Sequence, residues 1–196
     1  GPRLDGNSRM LNSAREGLRS PVGGATVELR DGDVYLSSGE GQPARQLKQR
    51  PAGSTDEFVG PVSWSPDGTH FALWCERKQP ARKYQVVDSL KAETREINYD
   101  KPGDPRTERV AWVFRADGKG AAACHSELTG KTYSTDRLDW SADSKLLRSE
   151  YIRRGFTGHG VVAYDVTAGV WRKLFAEEDP KFVYSFNARY RHDLAD

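Results

Sequence analysis

Two pairs of adjacent carboxylates, Asp56-Glu57 and Glu177-Glu178, are the residues of this 196-residue chain best suited to hold a cation. Neighbouring carboxylates can pin an ammonium through charge-assisted hydrogen bonds, and a solvated surface pair is the alternative for each. Glu177-Glu178 follows the strand-like Leu174-Phe175 and reads as a surface loop. His70, His125, His159 and His192 are scattered, and no two stand at a His-x-x-x-His spacing, so they imply no metal. His192 with Asp193 and Asp196 has acid-base types but reads as a solvated terminal cluster. Asp31-Gly32-Asp33 lacks the third acid and the closing glutamate of a calcium loop and reads as a hairpin turn. Cys75 and Cys124 have no Cys-x-x-Cys spacing. They are either one disulfide or two buried free thiols, and the thiols are the expectation. Gly6-Asn7-Ser8-Arg9-Met10 misses the last glycine of a Gly-x-Ser-x-Gly nucleophile elbow, and that motif occurs nowhere in the chain. No glycine-rich phosphate loop is present, and no cofactor is expected.

Charge and hydropathy exclude further classes. Arg153-Arg154 and Arg189-Tyr190-Arg191 mix cations with aromatics as single-strand binders do. Thirty basic against 28 acidic residues leave a net charge of only +2, so no nucleic-acid partner is expected. No apolar run approaches the ~18 residues of a membrane span, and no signal-peptide pattern opens the chain; the compartment stays open. The mean hydropathy of −0.76 suits a β-rich protein with many polar loops, or a piece of something larger.

The elements that must position these residues are announced by a repeated phrase. Val62-Ser63-Trp64-Ser65-Pro66-Asp67-Gly68-Thr69-His70-Phe71-Ala72-Leu73-Trp74 is its clean copy, and Leu138-Asp139-Trp140-Ser141-Ala142-Asp143-Ser144-Lys145-Leu146-Leu147 its second. A worn third runs from Arg19 to Leu29. Each copy reads as a short apolar strand, a tight turn and an alternating strand. Proline locks φ in the negative range that the second turn position needs, and glycine accepts positive φ. Asp31-Gly32-Asp33 and Thr167-Ala168-Gly169 each join two strand-like segments as hairpins. Tyr84 to Val87, Arg95 to Tyr99 and Arg109 to Phe114 alternate as strands, whereas residues 37–57 read as loop. Lys101-Pro102-Gly103-Asp104-Pro105 cannot sustain a strand ladder. Repetition of such a unit is how a β-propeller is written. The fold class is therefore all-β, a partial β-propeller of about three antiparallel blades over residues 25–196, with residues 1–24 as a flexible tail or linker.

The ordered set of motifs resembles the N-terminal propeller region of the dipeptidyl peptidase IV branch of the prolyl oligopeptidase family. Four pieces carry the resemblance. They are Arg30 to Leu36, the Trp-Ser-Pro-Asp-Gly strand from Val62 to Trp74, the crossing from Tyr84 through Tyr99-Asp100-Lys101-Pro102-Gly103-Asp104-Pro105 to Val110, and the hairpin from Val162 to Glu178. The crossing is the most specific and is about one residue tighter than the family's form. The resemblance implies a non-catalytic lid over an α/β-hydrolase domain, gating access and helping to anchor peptide N-termini. The missing Gly-x-Ser-x-Gly departs from the family, so this chain by itself is expected to hydrolyse nothing. Members that cleave dipeptides hold the substrate's free amine with adjacent glutamates before a Trp-Ser-Pro-Asp-Gly strand. Asp56 and Glu57 occupy that place here, without the family's tyrosine, and are the substrate-binding candidates. The partners implied are a peptide substrate, once a hydrolase domain is joined, and another copy pairing through open blade edges. The alternative is a stand-alone TolB-like propeller module for protein–protein interaction.

Overall fold

In the computed structural model, residues 18–48, 54–77, 83–88, 93–98, 107–130, 132–135 and 137–178 are described. The Lys101 to Pro105 crossing, the Arg189 to Arg191 segment and His192 lie outside the described residues. Among those described, fourteen strands form three multi-stranded antiparallel sheets and one hairpin. Blade I contains β1 (Thr26–Arg30), β2 (Asp33–Ser37) and β3 (Arg45–Lys48) in that order. Blade II contains β4 (Asp56–Trp64), β5 (His70–Arg77), β8 (Glu108–Arg115) and β9 (Ala121–Ala123), and the hairpin β6 (Lys83–Asp88) and β7 (Glu93–Asn98) interrupts it between β5 and β8. Blade III has the order β10 (Thr132–Thr135), β12 (Leu146–Arg153), β13 (Gly158–Asp165), β14 (Val170–Glu178), with the short β11 (Asp139–Trp140) also on β12. The described residues form an all-β partial propeller of three blades.

The repeated phrase builds the same turn in each blade. Ser20, Ser65 and Ser141 donate their amides to the carbonyls of Ala25, His70 and Leu146, each five residues on, at 2.7, 2.9 and 2.8 Å. In blades II and III the serine hydroxyl also bonds the aspartate two residues on, Ser65 to Asp67 and Ser141 to Asp143, each at 2.6 Å. Those aspartates accept the amides of Thr69 and Lys145. The fourth turn position has φ of 79° at Gly23, 70° at Gly68 and 61° at Ser144. Ser144 tolerates the left-handed region there with a function of its own: its hydroxyl accepts the amide of Asp67 in the neighbouring turn at 3.0 Å. Gly68 answers on the other side, where a Cβ would stand 2.7 Å from Ser20 Oγ. The three turns thus pack in succession.

In blades II and III the tryptophan that precedes the turn serine ties one blade to the last. Trp64 Nε1 donates to the Leu18 carbonyl at 3.3 Å, and Trp140 Nε1 donates to the Ser63 carbonyl at 3.0 Å. Leu18 and Ser63 hold the same place in their repeats, two residues before the turn serine, so the bond recurs with the blade. An indole buries a large apolar area while its N–H finds a partner, and both requirements are met at once here.

Blade II is covered on both faces. From β5, Phe71 and Leu73 join Val27, Val34 and Leu36 of blade I, while Ala72 and Trp74 join Leu147, Tyr151 and Val162 of blade III. This explains why Phe71-Ala72-Leu73-Trp74 is buried at every position rather than at every second one, a difference from the expected one-sided alternation. Two further expectations are corrected. Residues 37–57 contain β3 and the start of β4 and are not all loop. Glu177 and Glu178 belong to β14, where Glu178 reaches Arg153 at 2.9 Å. A helical turn, α1 (Ser126–Thr129), and a 3₁₀ turn, Arg154–Phe156, also occur between strands.

Candidate functional site

Asp56 and Glu57 open β4 at one end of blade II. Two rows cross the sheet there: Asp56 stands opposite Arg77, which stands opposite Glu108, and Glu57 opposite Glu76, which stands opposite Arg109. Successive strand residues point to opposite faces. Asp56 is in phase with Phe58, which packs toward blade I, and Glu57 with Val59, which packs toward blade III. The adjacent carboxylates therefore diverge, a consequence of their strand setting that a loop would not impose.

Arg77 holds Asp56 in a two-pronged pair, Nε to Oδ1 at 2.8 Å and Nη2 to Oδ2 at 3.1 Å. The hydrogen bond from that guanidinium holds the Asp56 carboxyl below the usual carboxylate range, against the opposing effect of burial. Both side chains are partly open to solvent, which limits the pair to about 1 kcal/mol or less. Because the folded value is lowered, this contribution is present above the unfolded carboxyl's value, about 4, and fades as pH falls through the folded one.

The other face carries the same charges but sets its two carboxylates side by side. Glu57 and Glu76 are direct cross-strand neighbours, an arrangement that costs stability unless a cation relieves it. Arg109 supplies part of that relief through its Nε, 2.6 Å from Glu76 Oε1. Glu76 was missed by sequence reasoning because it belongs to the next strand, and only the register brings it beside Glu57.

Arg109 also lines the mouth of a cavity of about 120 Å³ between blades II and III. Trp74, Ala111, Cys124, Tyr151 and Val162 form much of its wall. Burial pushes the Cys124 thiol up to about 12, which leaves it protonated and unreactive at neutral pH. Neither it nor Cys75 is in a disulfide, and the two lie on opposite faces of blade II. Tyr151 is 2% exposed, and its hydroxyl has no hydrogen-bond partner among the described residues. An unpaired buried hydroxyl costs about 1–3 kcal/mol. Tyr151→Phe is therefore expected to leave stability unchanged or raise it by up to ~1 kcal/mol in urea unfolding, since it removes that cost along with the hydroxyl. A clear loss of stability would reveal a bound water or another partner.

His159 stands 3.7 Å from Glu177, and His70 packs near the rings of Trp140 and Tyr164 at the blade II–III seam. Burial draws the His70 imidazole below its usual value. Among the described residues no group of three His, Cys, Asp or Glu side chains is placed to hold a metal. No helix among them is long and apolar enough to cross a membrane.

Residues 57–192 match the family described as the dipeptidyl peptidase IV N-terminal region. The chain belongs to that family. Its propeller blades also resemble solved structures. Porphyromonas gingivalis dipeptidyl peptidase 4 superposes with a TM-score of 0.61 at 13% identity, over 84% of this chain and 26% of its own. A Bacteroides ovatus protein assigned as a dipeptidyl aminopeptidase IV superposes with a TM-score of 0.53 at 19% identity, over 82% of this chain and 23% of its own. This dipeptidyl peptidase IV N-terminal region therefore spans about a quarter of the length of each. At those identities the likeness speaks for the fold alone. No curated protein matches the chain in sequence.

Proposed function

We propose that this chain is the non-catalytic propeller portion of a dipeptidyl-peptidase-like serine peptidase, gating access and helping to anchor peptide N-termini. The observation that carries this reading is the family match over residues 57–192, on blades that repeat the same turn and tryptophan bond. A propeller in this position contributes positioning and exclusion, while bond cleavage belongs to a hydrolase domain elsewhere in the polypeptide. The faces of blades I and III that turn away from blade II are then covered by further blades or by a second copy.

Asp56 and Glu57 are the anchoring residues in this proposal, with unequal parts. Glu57, directly opposite Glu76, adds a second carboxylate to the row that ends at Arg109, a residue of the cavity lining, and is the candidate for an incoming ammonium. Asp56 is engaged by Arg77 and holds the strand end in place. The test uses the parent polypeptide and a dipeptidyl p-nitroanilide, with its N-terminus free or acetylated. Glu57→Gln is expected to raise KM for the free amine roughly tenfold, the effect of losing one hydrogen bond to a charged group, and to leave the acetylated compound unaffected. Asp56→Asn should raise it less. The chain by itself should release no p-nitroaniline. Equal effects on both compounds would remove the anchoring role, and a parent reading frame without a hydrolase domain would favour a stand-alone interaction module.

A further inference from the structure

Blade II ends in an outer strand of three alanines, β9, set between β3 of blade I and the start of β14 of blade III. The short strand leaves a groove of about 870 Å³, within the range of ligand and peptide sites. Leu47, Trp112, Leu128 and Trp171 wall it, and Lys48 and Lys119 stand at its rim. The Trp171 indole donates to the Ala122 carbonyl at 3.3 Å and fixes the blade III wall to the floor.

The floor carries backbone groups that the sheet does not use. The amide of Arg115 bonds the Gly120 carbonyl, and the amide of Cys124 bonds the Ala111 carbonyl. Antiparallel partners alternate between bonded and unbonded pairs. Val113 stands opposite Ala122 midway between those two bonds, so it is the next bonded pair. The amides and carbonyls of Ala121 and Ala123 therefore point away from β8, and β9 is the last strand of its sheet among the described residues. An open strand edge of this kind is a template for another extended chain.

Charge selects among such chains. Lys48 has no ion-pair partner among the described residues and lies 5.4 Å over the Trp112 ring, and Lys119 stands near Asp117, a carboxylate already bonded by Arg115. Against these two cations the groove holds one carboxylate, Glu127. We propose that the groove over β9 docks an extended segment of a partner protein in which apolar and acidic residues alternate. The segment adds a strand to blade II through Ala121 and Ala123. Its apolar side chains face Leu128 and Trp171 on the blade III side, and its carboxylates lie on the blade I side, where Lys48 covers Trp112, and meet the rim lysines. This site is separate from the acidic strand end at Asp56 and Glu57.

The test is amide hydrogen exchange of the full chain, resolved by NMR, with and without a capped hexapeptide of alternating valine and aspartate. In the chain alone the amides of Ala121 and Ala123 should exchange fast and that of Ala122 slowly. Saturating peptide should slow Ala121 and Ala123 by about tenfold or more, and the same peptide N-methylated on its pairing amides should not. The double charge reversal Lys48→Glu with Lys119→Glu should raise the half-saturating peptide concentration about tenfold while leaving the Ala122 amide protected, which reports an intact sheet. Three results would overturn the proposal. Slow exchange at Ala121 and Ala123 before peptide is added would assign the edge to the chain itself, or to a second copy if it depends on concentration. Equal protection by the methylated peptide would exclude strand addition. No protection by either would exclude docking of this class of segment.

Discussion

Phe71→Ala should lower the unfolding free energy by about 3–5 kcal/mol, the usual cost of emptying a fully buried aromatic site. Phe71 has no solvent exposure and stacks on Phe114 with ring centres 5.2 Å apart and planes 8° from parallel. Trp64 tilts against its other side at 4.9 Å. Removing the ring thus empties the middle of the seam between blades I and II, and the surrounding strands cannot close over it because both β4 and β8 are held in the blade II ladder. Against a total stability of ~5–15 kcal/mol for an ordinary domain, this is a large fraction. The loss should be uneven. Amides of β1 and β2 should gain exchange rate more than those of β12 and β13, because Phe71 faces blade I and the blade III seam rests on Ala72 and Trp74. An unshifted urea transition would mean that blade I does not dock on Phe71.

The turns of blades II and III were the most legible part of the chain, because their chemistry is local. Serine and aspartate two residues apart specify the bonds from Ser65 to Asp67 and from Ser141 to Asp143 without help from distant residues, and in blade II proline and glycine add to that signal. Even the worn copy at Ser20 closes the same five-residue turn. The Asp31-Gly32 hairpin was legible for the same reason, and both of its turn residues take positive φ, 51° and 78°.

What the sequence concealed depends on position in the blade. β3, Arg45-Gln46-Leu47-Lys48, is an outer strand with one apolar side chain, so it carries no alternation to detect. The far end of β14 is held by Glu178 with Arg153 and by Glu177 near His159, not by apolar burial, and so resembled a loop. The candidate site was hidden in a different way. Asp56 and Glu57 are neighbours in sequence, yet the pleat sends them apart and gives each its own partner on β5, Arg77 for Asp56 and Glu76 for Glu57. Only the register of β4 on β5 decides those partners, and register is a property of the whole sheet.

Gly160→Ala tests the register of β13 within blade III, and it should cost about 2–3 kcal/mol, within the usual range for overpacking a filled site. The reason is space and not backbone conformation, since Gly160 does not have a positive φ. It stands directly opposite Tyr151, whose ring lies over it; a Cβ would sit 2.7 Å from the Tyr151 hydroxyl oxygen and would collide with the Phe175 carbonyl. An aromatic side chain covering a cross-strand glycine is a favourable use of a residue that otherwise weakens a strand. Adding a methyl group there forces β13 away from β14 or the tyrosine out of the core. The two obstacles are separable. Tyr151→Ala in the Gly160→Ala background removes the ring but leaves the Phe175 carbonyl, so it should not restore stability and should add the loss of a buried aromatic. Full rescue by the double variant would place the conflict at the ring alone. Tolerance of Gly160→Ala, with no measurable shift of the urea transition, would mean that β13 pairs with β14 in another register, and that the bulge between Val161 and Val162 is set elsewhere.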